Sequence, residues 1–270
     1  MYRSLWRSIH KSVCSLDYHS KNNILFYRST GFRYKDYLIS EFCGDEISRS
    51  GSLIINFCSG EEGKNSKSLK LSIDELTERI SEVPASCQSL LMAIPISHKE
   101  LSSVPSVSFS RENSPAIGTP VAIFSHSSQL SELLMKTGLI SSYINKNGKK
   151  FIYLEASIET GCSGAPVVNA LTGEVIGMVA DCFLSLPEKY KKLKAIINQN
   201  IQILGNEAGK WPLGSFDFSQ LLVVNQHMIK KLAKDMYLSS HRDHGFSLPV
   251  EVILRFIKNL EHRNQFQESG

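Results

Sequence analysis

Glu159-Thr160-Gly161-Cys162-Ser163-Gly164-Ala165-Pro166-Val167-Val168-Asn169 is the stretch on which the reading of this chain turns. A serine set between glycines at a tight turn is a common way to present a nucleophilic hydroxyl. Gly161 allows a backbone turn that points the amides of Gly161 and Ser163 into one pocket, where they would stabilise the oxyanion of a tetrahedral acyl-transfer intermediate. Gly164 leaves room for an approaching substrate. Four such residues also occur in ordinary Gly/Ser turns, so the flanks must decide.

The flanks are β-rich. Phe151 to Leu154 precedes the turn as an apolar run, and Val167 to Asn169 follows it, leading through Thr172-Gly173-Glu174 into Val175 to Ala180. This order predicts strand, turn, strand, hairpin, strand. Further out, Leu53 to Phe57 predicts a strand from its β-branched content and Cys58 to Ser68 a polar loop, while Asp74 to Ser81 carries helical spacing. Leu101 to Ser114, rich in serine and proline, predicts a crossing segment. Glu188 to Ile203 and Gln226 to Tyr237 predict helices, the second with Met228, Ile229, Leu232, Ala233 and Met236 as a stripe expected to be buried.

With these flanks the segment resembles the nucleophile region of trypsin-like serine proteases, and within them the HtrA/Deg branch. The likeness extends over Ser29 to Ser40, Gly118 to Ile123, Lys136 to Ser142, and Gly245 to Val250 with the following Val252 to Leu260, in the family's order from about residue 12 to about 260. It implies an all-β-dominated chymotrypsin-like fold of two six-stranded antiparallel barrels, with a partly helical insertion and a closing helix. The implied domains are residues 1–114, the first barrel and the linker, and 115–270, the second barrel with the insertion at 184–245.

The resemblance implies Ser163 as nucleophile, with Gly161 and Ser163 as oxyanion donors. It implies Ser157 as the floor of the primary substrate pocket, with Thr160 beside it. A small neutral floor suits small or medium apolar side chains over lysine or arginine. The remaining triad positions are degenerate: Cys43 stands where the family has its general-base histidine, and Cys87, or Gln88 one place on, where it has the orienting aspartate. A hydroxyl without a neighbouring base is a poor nucleophile. A thiol does not replace an imidazole as a proton acceptor. His19 and His126 are the histidines nearest the expected cleft, read as solvated loop residues; His10, His98, His227, His241, His244 and His262 have less claim.

On this alignment Cys43, Cys87 and Cys162 converge, with Cys43 and Cys87 expected within disulfide range. No Cys-x-x-Cys pair or His-x-x-x-His accompanies them, so no metal site and no cofactor is implied. The expected function is a degenerate relative that binds a peptide or protein segment in the inter-barrel cleft. The alternative is an active serine endopeptidase with a non-standard base. The chain has 270 residues, is 42% hydrophobic and 21% charged and carries +4, which suits a globular protein with a sizeable core. The cluster from Lys189 to Lys194 reads as a solvated helix face, so no nucleic-acid partner is expected. The chain lacks a run of membrane-spanning length and an apolar leader. Met1 to Leu16, basic and serine-containing, faintly resembles a mitochondrial presequence but reads better as a short helix before the first strand. Six cysteines fit a reducing compartment, so the expected location is intracellular, cytoplasmic or mitochondrial, with no membrane partner.

Overall fold

The computed structural model describes residues 1–58, 65–80, 91–101, 103–112, 114–127, 132–146, 148–180, 188–213, 216–240 and 244–267. The chain opens with α1 (Tyr2–Ile9) and a 3-10 turn (His10–Ser12). β1 (Val13–His19), β2 (Leu25–Tyr34) and β3 (Tyr37–Ser40) follow, then α2 (Gly44–Arg49), β4 (Ser52–Cys58), β5 (Asn65–Ser72), α3 (Ile73–Arg79), β6 (Met92–Pro95) and α4 (His98–Leu101). The second half holds β7 (Pro120–His126), β8 (Leu133–Lys146), β9 (Lys149–Ala156), β10 (Pro166–Asn169) and β11 (Val175–Val179). After them come α5 (Glu188–Asn206), the two-residue strands β12 (Pro212–Leu213) and β13 (Phe216–Asp217), α6 (Phe218–Ser240), β14 (His244–Pro249) and α7 (Val250–Gln267).

Two six-stranded antiparallel sheets result. The first runs β5-β4-β1-β2-β3-β6 and the second closes as a barrel in the order β10-β11-β14-β9-β8-β7. Among the described residues the first is a half-barrel and the second is closed, in line with the expected pair of six-stranded antiparallel barrels. Strand identity follows side-chain chemistry: Leu53 and Ile55 of β4 and Leu16 and Tyr18 of β1 turn into one apolar interior with Leu38, Met92 and Ile94. Val121, Ile123, Ile152, Leu154, Val167 and Val179 fill the barrel in the same way. Residues alternating across a strand let one set meet a core while the other faces outward.

A third apolar cluster joins the two sheets. Phe32 and Ile39 meet Phe124, Val168 and Met178 there, together with Leu5 and Ile9 of α1 and Ile253, Phe256, Ile257 and Leu260 of α7. The 253-256-257-260 spacing places four apolar side chains on one helix face, which is why α7 closes the structure. The crossing segment reinforces the join. Val107 N donates to Arg33 O at 3.0 Å in the first sheet, and Ser110 N donates to Val175 O at 2.9 Å in the second.

Local boundaries have local causes. α3 starts at Ser72 because Ser72 Oγ accepts from Glu75 N at 3.2 Å while Glu75 accepts from Ser72 N at 2.7 Å, a capping box. The predicted loop at Cys58 to Ser68 is partly strand, since Asn65–Ser72 pairs with β4.

The chain divides into two compact units, Met1–Phe183 with Asp243–Gly270, and Leu184–Arg242. In the second unit α5 packs on α6, and Lys230 Nζ donates to Asn198 Oδ1 at 2.8 Å. The predicted burial of the 228-236 stripe does not hold: Met228, Ile229, Leu232 and Met236 are exposed. The face of α6 turned to α5 carries Leu222, Val223, Gln226 and Lys230 instead, all half-buried.

Candidate active site

Ser163 sits in the link between β9 and β10, held by backbone conformations open mainly to glycine. Gly161 has φ +102 and Gly164 φ +82. A Cβ at Gly164 would lie 2.1 Å from Thr30 O, 2.5 Å from Ser40 Oγ and 2.9 Å from Glu41 N, so close approach to the first sheet as well as φ requires glycine.

That approach is hydrogen-bonded at every step. Thr30 N donates to Ser163 O at 2.8 Å, and Thr30 Oγ1 donates to Gly161 O at 2.7 Å. Thr30 Oγ1 also accepts from His126 N at 2.9 Å, while Ser40 Oγ donates to Thr30 O at 2.7 Å. On the barrel side Gly164 N donates to Val179 O and Val179 N to Ala165 O. None of these bonds uses the amides of Gly161 or Ser163, the two expected oxyanion donors. A single threonine of β2 therefore laces the nucleophile turn to the first sheet.

The Ser163 hydroxyl itself donates to Glu41 Oε2. Both residues are 2% exposed. Glu41 directly follows β3, so the last hydrogen-bonded strand of that hairpin delivers its carboxylate to the turn. Sequence reasoning missed it, because counting along the family pattern fixed attention two residues later. A signal was available: Glu41 is an acid flush against the strand Tyr37–Ser40, all of it buried.

The other candidates are placed as follows. Cys43 meets the hydroxyl of Tyr27, with Sγ 3.4 Å from that oxygen. Sulfur was expected across from Ser163, and the group found there is a carboxylate. Cys87 and Gln88 lie outside the described residues, and with them the expected approach of Cys43 and Cys87. Cys162 is fully buried; its Sγ donates to Ser125 Oγ at 3.2 Å and accepts from Lys136 Nζ at 3.4 Å, and Lys136 also pairs with Glu159. Ser157 and Thr160 are exposed on the loop before the turn.

His126 is fully buried, not the solvated loop residue expected, with Nε2 4.0 Å from Cys58 Sγ. Burial pushes the Cys58 thiol up to about 11, so that sulfur stays protonated near neutral pH. Burial likewise raises the Tyr27 phenol beside Cys43, with the sulfur adding to the effect. Within the first sheet, Arg28 of β2 makes a two-pronged bond to Asp17 of β1, 2.6 Å from Oδ1 and 3.0 Å from Oδ2, and it reaches Ser127 O, just past β7, at 3.4 Å.

Two surface cavities lie elsewhere. One, of ≈ 930 Å³, is lined by Ser20, Lys21, Ser50, Lys70 and Ser72 among others, and a second, of ≈ 560 Å³, by Asp36, Arg79 and Glu100 among others. Neither includes Ser163 or Glu41, in keeping with their burial. Among the described residues no three His, Cys, Asp or Glu side chains converge to hold a metal ion.

Comparison with known proteins agrees with this architecture. A family model described as "Trypsin-like peptidase domain" matches residues 70–178, less than half of the chain but inclusive of the serine turn. Among solved structures, a serine endoprotease from Yersinia pestis is 20% identical with a TM-score of 0.51, over 67% of this chain and 57% of that one. A serine-to-alanine variant of the HtrA-type protease AlgW with a tripeptide is 13% identical with a TM-score of 0.59, over 96% and 63%. The inactive form of a mutant Rv3671c from M. tuberculosis is 12% identical with a TM-score of 0.53, over 96% and 91%. No curated protein matches the sequence. The chain has the trypsin-like serine protease fold, and HtrA-type proteases are among the structures it resembles. It spans only about three-fifths of the length of the first two of these structures.

Proposed function

We propose that this chain is a non-hydrolysing relative of the trypsin-like serine peptidases that holds a peptide or protein segment in the cleft beside Ser163. The observation that carries this reading is the fate of the hydroxyl: it is buried and donated to Glu41. A hydroxyl in that state is neither exposed to a substrate carbonyl nor activated by an imidazole. Carboxylates as a class are weaker bases than imidazoles, with ordinary pKa values of about 4.3 against 6.5. The peptide-binding half of the proposal draws support from AlgW, a protein of this fold solved with a tripeptide.

The test is a fluorophosphonate probe applied to the purified chain beside Ser163→Ala, with fluorescence anisotropy of extended peptides bearing small or medium apolar side chains. No labelling together with saturable peptide binding is expected. Absence of binding to any such peptide overturns the scaffold reading. Labelling of the parent that Ser163→Ala abolishes overturns the non-hydrolysing reading.

One observation favours a second reading, an active serine endopeptidase. Glu41 is within hydrogen-bonding reach of the hydroxyl and so has the geometry of a general base. On that reading Glu41→Gln abolishes labelling as fully as Ser163→Ala does.

A further inference from the structure

The helical hairpin spanning α5 and α6 concentrates two properties. The unit Leu184–Arg242 carries nine Lys and Arg against four Asp and Glu, a net +5, where the whole chain has only +4. It also exposes a continuous apolar ridge. Leu221, Val224, Met228, Leu232 and Met236 follow one another at three- and four-residue steps on α6, with Phe218 and Ile229 along its edge, and all seven are exposed. Met228, Leu232 and Met236 are each at least 60% exposed. From Phe218 to Met236 the ridge is about 27 Å long. The opposite face, not the ridge, is turned to α5, since Lys230 bonds Asn198.

Scattered exposed apolar residues need no explanation, but an aligned row of this size does. The unit's cations are mostly lysines: Lys231 is exposed on α6, three residues from Met228, and Lys192 and Lys194 are exposed on α5. No arginine occurs between residues 188 and 240 to offer the planar fork that nucleic acids commonly meet. An exposed apolar helix face on a unit rich in lysine and of net positive charge is the pattern of interfacial attachment. No described helix is long and apolar enough to cross a membrane.

We propose that the 188–240 hairpin is a membrane-surface element, with the α6 ridge seated at the headgroup boundary of an anionic bilayer, Lys231 on a lipid phosphate and the unit's net positive charge adding long-range attraction. This departs from the expectation of no membrane partner. It is independent of the chemistry at Ser163.

The test is flotation of the full chain with vesicles of equal parts phosphatidylcholine and phosphatidylserine, beside vesicles of phosphatidylcholine alone. Binding to the anionic vesicles, weakened by added salt, is expected. The double variant Met228→Asp with Leu232→Asp is expected to lose about tenfold or more of that binding while melting at the parent's temperature. Four results overturn the proposal: no flotation of the parent; binding unchanged in the double variant; a parent dimer in light scattering that the same variant splits, which assigns the ridge to a second copy; or a marked fall in melting temperature, which assigns it to the interior.

Discussion

The serine turn and the α5–α6 hairpin treat their surfaces in opposite ways. In the turn, a residue type usually displayed to solvent and substrate is drawn inward: the Ser163 hydroxyl is buried against Glu41, and the surrounding carbonyls are met by Thr30 and Gly164. In the hairpin, side chains usually drawn inward are displayed, from Leu221 to Met236. The contrast teaches that a motif and its usual exposure are separable. A Gly-x-Ser-Gly turn can persist because it knits two sheets together, since Gly164 is required by contacts with Thr30, Ser40 and Glu41 whether or not the serine reacts.

Substitutions can break or sharpen that contrast. The largest effect is expected from Gly164→Ala, which forces both a left-handed backbone and a clash with Thr30 O; a loss on the order of 4 kcal/mol or outright failure to fold should appear in thermal denaturation. Phe256→Ala, which empties part of the cluster joining the sheets, should cost about 3 to 5 kcal/mol by urea titration. If either is tolerated at wild-type stability, the sheets are not joined as described.

Smaller effects bear on the turn's polar strut and on the ridge. Ser163→Ala leaves the buried Glu41 carboxylate without this donor and should cost about 1 to 3 kcal/mol, an effect a merely exposed nucleophile would not produce. Between Arg79 and Ser97, the Glu100 carboxyl is held down to about 2, chiefly by the guanidinium. Its folded value lies below its unfolded one, so the stabilisation is present above about pH 4.5 and is lost as pH falls toward 2. With both side chains about a quarter exposed, the loss in acid titration should be about 1 kcal/mol, and Arg79→Ala should reduce it, leaving the part due to Ser97. Leu232→Ala should change stability by no more than about 0.5 kcal/mol, in contrast to Phe256→Ala.

Much of the fold was legible because period and turn chemistry are local. The runs 53–57, 151–154, 167–169 and 175–179 are strands because their β-branched and aromatic side chains alternate or bury, and the 253-256-257-260 spacing marks a helix face. The nature of the group opposite Ser163 was not legible. Which side chain reaches a hydroxyl depends on where two strands end relative to a turn more than 120 residues away, and a family template drew attention to Cys43, two residues past Glu41. The stripe on α6 was legible as a stripe, but periodicity reports only that residues share a face. It does not say which face meets the neighbouring helix, and α5 meets the other one.

The strand order carries a consequence for synthesis on the ribosome. β14 bridges β11 and β9 in the barrel, yet it is made only after the whole helical hairpin has been translated. Until His244–Pro249 emerges, the nascent sheet keeps two unpaired edges on β9 and β11. A hairpin whose contacts are local can form during that interval, so the arrival of His244–Pro249 decides when the barrel becomes a closed surface.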